Sequence, residues 1–168
     1  MLLGFALYGA GGVAADQMFG RNRLIQWVGT TGADGLTSTT RDANEVFGGR
    51  GNDSLFVGSG SDEAHGGVGN DMLVGGADND VLVPGRGLDF VQGDAGNDKV
   101  IISGTCELLA GETISGGSGT DTLYTPVSLA ALATLGVTVT SIESVVINHA
   151  DLQLATCATL GALGPVFP

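Results

Sequence analysis

The sequence predicts an all-β fold in which short parallel strands coil around a narrow core. Three observations predict it: 30 of the 168 residues are glycine, a nine-residue unit repeats through the middle of the chain, and one apolar position recurs in every unit. So much glycine disfavours an ordinary helical domain, because each glycine inside a helix costs about 1 kcal/mol. Only 4 prolines accompany it, which excludes a collagen-like chain. The hydrophobic share of 43% leaves enough apolar residues for a core.

The repeat occupies residues 48–101 as six contiguous units. Their sequences are GGRGNDSLF, VGSGSDEAH, GGVGNDMLV, GGADNDVLV, PGRGLDFVQ and GDAGNDKVI. The fourth position is glycine except at Asp78, the sixth is always aspartate, and the eighth is always apolar. A further unit, GGSGTDTLY, follows at 116–124 after an interruption at 102–115, and GTTGADGLT at 29–37 is a degraded unit.

Within one unit, the first six residues predict a turn and the last three predict a short strand. Glycine in the turn permits positive φ angles and a close approach of neighbouring chains. A strand of three residues is about 10 Å long, and only its middle side chain points inward. The eighth positions therefore form the predicted core: Leu55, Ala64, Leu73, Leu82, Val91 and Val100.

Two units make one coil of 18 residues, so each unit stacks on the unit two places later in the chain. Coils stacked about 4.8 Å apart place the sixth-position aspartates in two columns. Like charges about 5 Å apart repel by roughly 1 kcal/mol in water, and by several times more near a protein surface. The stack therefore needs cations. The first column is Asp53, Asp71 and Asp89, and the second column is Asp62, Asp80 and Asp98.

Calcium is the cation that fits these turns. It takes about 6 to 8 oxygen ligands from carboxylates and backbone carbonyls, whereas Mg²⁺ demands strict octahedral geometry and zinc prefers the Cys and His that the turns lack. Two gaps in each column give about four ions or more. Their positive charge roughly neutralises residues 48–101, whose nine acidic and three basic residues give a net charge of −6. The predicted metal-binding residues are Gly49, Gly51, Asp53, Gly58, Gly60, Asp62, Gly67, Gly69, Asp71, Gly76, Asp78, Asp80, Gly85, Gly87, Asp89, Asp94, Gly96, Asp98 and Asp121.

The unit resembles the glycine- and aspartate-rich nonapeptide of the RTX family, the hemolysin-type calcium-binding repeat. This resemblance implies a parallel β-roll, that is, a right-handed parallel β-helix of nine-residue repeats, with small mixed capping segments at both ends. It also implies a secreted, extracellular bacterial protein that stays disordered without calcium and folds on binding Ca²⁺ outside the cell. Two alternatives remain: the C-terminal β-roll of a larger secreted enzyme or toxin such as a protease or lipase, and a cell-surface or matrix interaction protein.

The two ends of the chain differ from the repeats. Residues 128–136 predict a short helix with Ser128 as its N-cap and Gly136 just after its end, and 137–140 and 142–147 predict strands. The sequence thus divides into an N-terminal apolar segment at 1–28 that is a candidate signal or cap, a calcium-binding β-roll at 29–124, and a C-terminal cap at 125–168 that is a candidate secretion signal.

Charge and hydropathy exclude several classes of partner. A net charge of −12 disfavours nucleic acid and anionic membrane surfaces, and no apolar run is long enough for a membrane span. Cys106 and Cys157 fit no zinc pattern, so they are either two buried thiols or one disulfide. A protein or surface partner stays open.

No catalytic constellation is found, so we expect no enzyme and no catalytic or cofactor-binding residue. The GAGGVA motif at 9–14 matches a dinucleotide-binding pattern, but no alternating strand and helix pattern follows it. His65 and His149 belong to no zinc-protease motif, and Ser59 and Ser118 lie in glycine turns rather than in a nucleophile elbow.

Overall fold

In a computed structural model, which describes residues 25–39 and 41–147, the chain forms a parallel β-solenoid of about seven turns. Consecutive strands alternate between two sheets, as the predicted β-roll requires. A 3₁₀ helix spans Thr105–Glu107, and helix α1 spans Leu129–Leu135. The strands are β1 (Ile25–Val28), β2 (Gly35–Thr37), β3 (Asn44–Arg50), β4 (Ser54–Ser59), β5 (Glu63–Val68), β6 (Met72–Ala77), β7 (Val81–Arg86), β8 (Phe90–Ala95), β9 (Lys99–Ile101), β10 (Thr113–Ser118), β11 (Thr122–Thr125), β12 (Thr138–Thr140) and β13 (Ser144–Ile147).

The odd-numbered strands form one sheet and the even-numbered strands form the other. The orders are β1-β3-β5-β7-β9-β11-β13 and β12-β10-β8-β6-β4-β2, with every neighbouring pair parallel. Leu55 pairs with Leu73, and Ala64 pairs with Leu82, which confirms the predicted coil of two units. At the interruption, strand β8 pairs with β10, so the extra residues enlarge one coil without breaking the stack.

The core runs along the solenoid axis between the two sheets. All six predicted eighth-position side chains are fully buried, and Ile114 and Leu123 continue their rows beyond the interruption. The expectation of three-residue strands was wrong: most strands of the repeat block have six residues, since they continue into the first three positions of the next unit. The alternation of a strand then turns a second position inward, so Val57 is as fully buried as Leu55.

The C-terminal elements continue the solenoid. The predicted helix is confirmed: the Ser128 hydroxyl accepts a hydrogen bond from the Ala131 amide, and Gly136 has a φ of 82°. Leu132 of this helix is fully buried against the core. Strands β12 and β13, which confirm the two predicted strands, pair with β10 and β11.

Parts of the sequence prediction fall outside the described residues, among them most of the N-terminal apolar segment and the candidate secretion signal after residue 147. Cys106 is disulfide-bonded, and Cys157 lies outside the described range. Within that range no helix is long and apolar enough to cross a membrane.

Candidate metal-binding turns

The turns need glycine for space as well as for conformation. Gly69, at a fourth position, has a φ of 142°, and a Cβ there would lie 1.6 Å from the carbonyl oxygen of Gly51 in the preceding coil. Gly67, at a second position, has a φ of 111°, and its Cβ would lie 2.2 Å from the carbonyl oxygen of Gly49. The turns therefore stack backbone on backbone, with the carbonyl oxygens of one turn directed at the next.

The sixth-position aspartates form the two predicted columns, and their carboxylates are only 1–3% exposed. One oxygen of each is satisfied by the preceding coil. The Asp53 amide donates to Asp71 Oδ1 at 2.8 Å, and the Asp71 amide donates to Asp89 Oδ1 at 2.8 Å. The second column repeats this pattern, since the Asp62 amide donates to Asp80 Oδ1 at 2.8 Å.

The other oxygen of each column carboxylate is an orphan. Asp71 Oδ2 lies against backbone: a Cβ on Gly66 would be 2.6 Å from that oxygen and 2.4 Å from the carbonyl oxygen of Pro84. An ionised oxygen without a partner is very costly to bury, so these oxygens demand either a proton or a cation. Within the described residues, the Oδ2 atoms that are buried and make no hydrogen bond are those of Asp53, Asp62, Asp71, Asp80, Asp89, Asp98 and Asp121.

The pKa values of the column carboxyl groups are raised, chiefly because the groups are buried. Burial raises the pKa of Asp71 to about 7 and of Asp80 to about 8, and it raises those of Asp62 and Asp89 to about 6. Hydrogen bonds from the preceding coil lower these pKa values, but less than burial raises them. Repulsion within the columns raises the pKa of Asp71 and Asp80 further. At neutral pH, part of the carboxyl groups would hold a proton unless a cation took its place.

Both columns are longer than the repeat block. The Asp34 amide donates to Asp53 Oδ1 at 2.8 Å, and Asp34 is the sixth residue of the degraded unit. Asp121, a predicted site residue, extends the second column because its Oδ1 accepts from the Asp98 amide at 2.8 Å. The Asp121 amide in turn donates to Glu143 Oε2 at 2.7 Å, a position that no glycine pattern in the sequence indicates.

Asparagine side chains at the fifth position form a second ladder that the sequence reasoning missed. Asn52 Oδ1 accepts the Asn70 amide, and Asn70 Oδ1 accepts the Leu88 amide, both at 2.9 Å. On the other edge, Asn79 Oδ1 accepts the Asn97 amide at 2.7 Å. The signal was present, since asparagine occupies the fifth position in four of the six units.

Two predicted acidic ligands lie apart from the columns. Asp78 and Asp94 replace glycines and have φ angles of 78° and 74°, which aspartate tolerates better than most residues. Asp78 Oδ2 accepts the Gly60 amide at 3.3 Å, and Asp94 Oδ1 accepts from the side-chain amide of Gln92. Their side chains thus accept hydrogen bonds at the turns and do not continue the two columns.

No three His, Cys, Asp or Glu side chains of the described part cluster closely enough to hold a metal by themselves. An ion between two turns would instead combine two column carboxylates with backbone carbonyls, the oxygen-only donor set that suits calcium. The remaining predicted site residues are the second- and fourth-position glycines of the turns, and all ten of them have positive φ angles. These glycines therefore contribute backbone rather than side chains.

Comparison with protein families identifies the repeats. The family model of the RTX calcium-binding nonapeptide repeat matches four stretches, 38–73, 47–82, 74–101 and 111–125, which together cover slightly less than half of the chain. Searches of curated proteins and of solved structures gave no match. The matched stretches contain both columns, and they confirm the resemblance drawn from the repeating units.

Proposed function

Because RTX calcium-binding nonapeptide repeats make up most of the described solenoid, we propose that this chain is a secreted protein that binds Ca²⁺ in its stacked turns and folds on meeting that ion outside the cell. The row of orphaned Oδ2 atoms carries the proposal. Each of these oxygens is sequestered from water, and no cationic side chain of residues 25–39 and 41–147 forms an ion pair with it, so a bound divalent cation would supply the missing charge.

The ions would lie between successive members of a column. The gaps between Asp53 and Asp71 and between Asp71 and Asp89 serve the first column, and the gaps on either side of Asp80 serve the second. About four ions occupy these gaps, and Asp121 offers a further one next to Asp98. Each gap supplies two carboxylates, and the glycine-rich backbone supplies carbonyl oxygens at the close approaches seen at Gly67 and Gly69.

Folding and binding are coupled because the unfolded chain has no such gaps. Without a cation, folding buries carboxylates that water would otherwise solvate, whereas with a cation the binding free energy adds to the free energy of folding. Affinities of extracellular calcium modules, about 10⁻⁴ to 10⁻³ M, would leave the chain unfolded in the calcium-poor cytosol and folded outside. The proposal gives the described residues no catalytic role.

The first experiment is a far-UV circular dichroism titration of the metal-free chain with Ca²⁺, with Mg²⁺ in parallel. We expect a cooperative gain of β signal with Ca²⁺ alone. Asp80→Asn should shift the transition to higher calcium concentration, because it removes a charge from the middle of the second column. The control is Glu63→Gln, which removes an equal charge from a side chain that lies 48% exposed outside the columns. A metal-free chain that is already folded, and is unchanged by calcium, would refute the proposal.

A second candidate function, as a cell-surface interaction protein, is favoured by the outer face of the seven-stranded sheet. Strand pairing aligns one outward position of each strand into a continuous row, in which the rings of Phe47 and His65 stack with centroids 4.7 Å apart. Separating a culture into cell surface and medium distinguishes this candidate from a freely secreted protein. The row consists of Val28, Phe47, His65, Val83, Ile101, Tyr124 and Val146.

A further inference from the structure

The interruption between the repeats brings Glu112 to the end of the first column. Thr113 pairs with Phe90, and the Thr113 amide donates to the carbonyl oxygen of Asp89 at 3.1 Å. Glu112 therefore occupies the place next to Asp89 at which a regular unit would carry its sixth-position aspartate. The residues before it lack the glycine pattern of a regular turn, so the repeat pattern does not include Glu112 among the metal-binding residues.

Glu112, like the column aspartates, has one buried carboxylate oxygen without a hydrogen-bond partner. Its side chain is fully buried, and its Oε1 makes no hydrogen bond among the described residues. Asp89 Oδ2, in the neighbouring coil, is likewise buried without a partner. Two buried carboxylates from adjacent coils thus each keep one oxygen without a hydrogen-bond partner, and they are close enough that the charge of Asp89 raises the pKa of Glu112.

Neighbouring side chains do not neutralise this pair. Arg86 favours the charged form of Glu107, a third carboxylate, and Asp89 disfavours it. The charges of Asp89 and Glu107 both raise the pKa of Glu112. Among the described residues, the ion pair of His65 with Glu63 lies on the other sheet, so it does not offset the charge of Asp89 and Glu112.

The hydrogen bonding of Glu112 differs from that of the column aspartates. An aspartate of the column uses one oxygen to accept the amide of the preceding coil, as Asp89 does for Asp71. Glu112 instead uses Oε2 to accept the amide of Leu109 at 3.1 Å, within its own turn. The longer side chain thus fixes the inserted loop while its second oxygen stays available.

We propose that Glu112 and Asp89 hold an additional calcium ion, at a site that the nonapeptide pattern does not encode. This inference rests on the proposed function, because it extends calcium binding from the regular gaps to the interruption. The ion would tie the inserted residues 102–112 to the first column, so that the solenoid continues across them. Backbone carbonyls and water would complete the oxygen ligands.

The test compares Glu112→Gln with the wild-type chain and with Glu63→Gln. Calcium bound per chain is counted by equilibrium dialysis, and thermal unfolding is followed in excess calcium. We expect Glu112→Gln to bind one ion fewer and to unfold at a lower temperature than wild type in calcium. Glu63→Gln should match wild type in both respects.

Each outcome has one meaning. An unchanged number of ions in Glu112→Gln overturns the inference and leaves the proposed function standing. A wild-type chain that binds no calcium refutes the proposed function itself. If Glu112→Gln does not fold at any calcium concentration, Glu112→Asp decides: folding with the full number of ions supports the site, and folding with one ion fewer, or no folding, overturns it.

Discussion

Gly69 lies where two coils approach so closely that no side chain fits. A Cβ would overlap a carbonyl oxygen of the preceding coil, and the φ of 142° adds strain of about 1–3 kcal/mol. The obstructing atom is backbone and is held in the stack, so it cannot turn aside. We expect Gly69→Ala to lower the free energy of unfolding in calcium by at least about 3 kcal/mol, as measured by urea denaturation.

Gly35 provides the matched control for this substitution. A Cβ on Gly35, in strand β2, would meet no atom within 4 Å. Gly35→Ala should therefore change the free energy of unfolding by about 0.5 kcal/mol or less. Equal effects of the two substitutions would contradict the backbone stacking described for the turns.

At the level of single residues, the sequence predicted the stacking of the aspartates where the phase of the repeat is unbroken. Asp71 and Asp80 could be assigned to columns because 18 residues separate stacked units. The sequence could not predict which oxygen of each carboxylate accepts a hydrogen bond and which has no partner, because that depends on side-chain torsion angles. Glu112 was missed because its place depends on how many inserted residues the coil absorbs.

At the level of elements, strand direction and pairing followed from the repeat, but strand length did not. The first positions of the next unit read as turn residues, because four of the six are glycine. Stacking overrides this preference, since parallel pairing on both sides holds even glycine in an extended strand. Helix α1 was predictable because its caps are local, with Ser128 before it and Gly136 after it.

Helix α1 covers one end of the core, and two leucines of this helix test that role. Leu132 is fully buried, whereas Leu129 is 45% exposed. We expect Leu132→Ala to reduce the free energy of unfolding in calcium by about 2–5 kcal/mol, and Leu129→Ala to change it by about 0.5 kcal/mol or less. Both substitutions replace the same residue type in one helix, so helix propensity cancels. Similar losses from the two variants in urea denaturation would show that the helix does not seal the core.

For the whole molecule, 18 acidic residues face only six basic ones, a net charge of −12, so the folded state depends on what neutralises its interior. The columns place much of that charge where water cannot reach it. Protons and calcium are then alternative partners for the same oxygens. Stability should consequently depend on pH more strongly without calcium than with it.

The pH dependence follows from the raised pKa values. In the unfolded chain the pKa of an aspartate is about 3.9. In the folded chain the pKa is about 6 for Asp62 and Asp89, about 7 for Asp71 and about 8 for Asp80. Between these values the folded chain binds more protons than the unfolded chain, so the stability of the metal-free fold is greatest near pH 4 and falls as the pH rises toward 8. With saturating calcium the carboxylates of the folded chain stay ionised, as they are in the unfolded chain above about pH 5, so stability should change little over the same range.

Far-UV circular dichroism at several pH values between about 4 and 8, in metal-free buffer and in excess calcium, measures the folded fraction, and urea denaturation measures the stability wherever the chain is folded. The two curves of unfolding free energy against pH should converge at acidic pH and diverge toward neutral pH. Asp80→Asn should flatten the metal-free curve, because the group with the most strongly raised of these pKa values no longer titrates. Parallel curves would mean that the columns bind neither protons nor calcium in the folded state. The charge of the interior would then have to be neutralised by groups other than these two ligands.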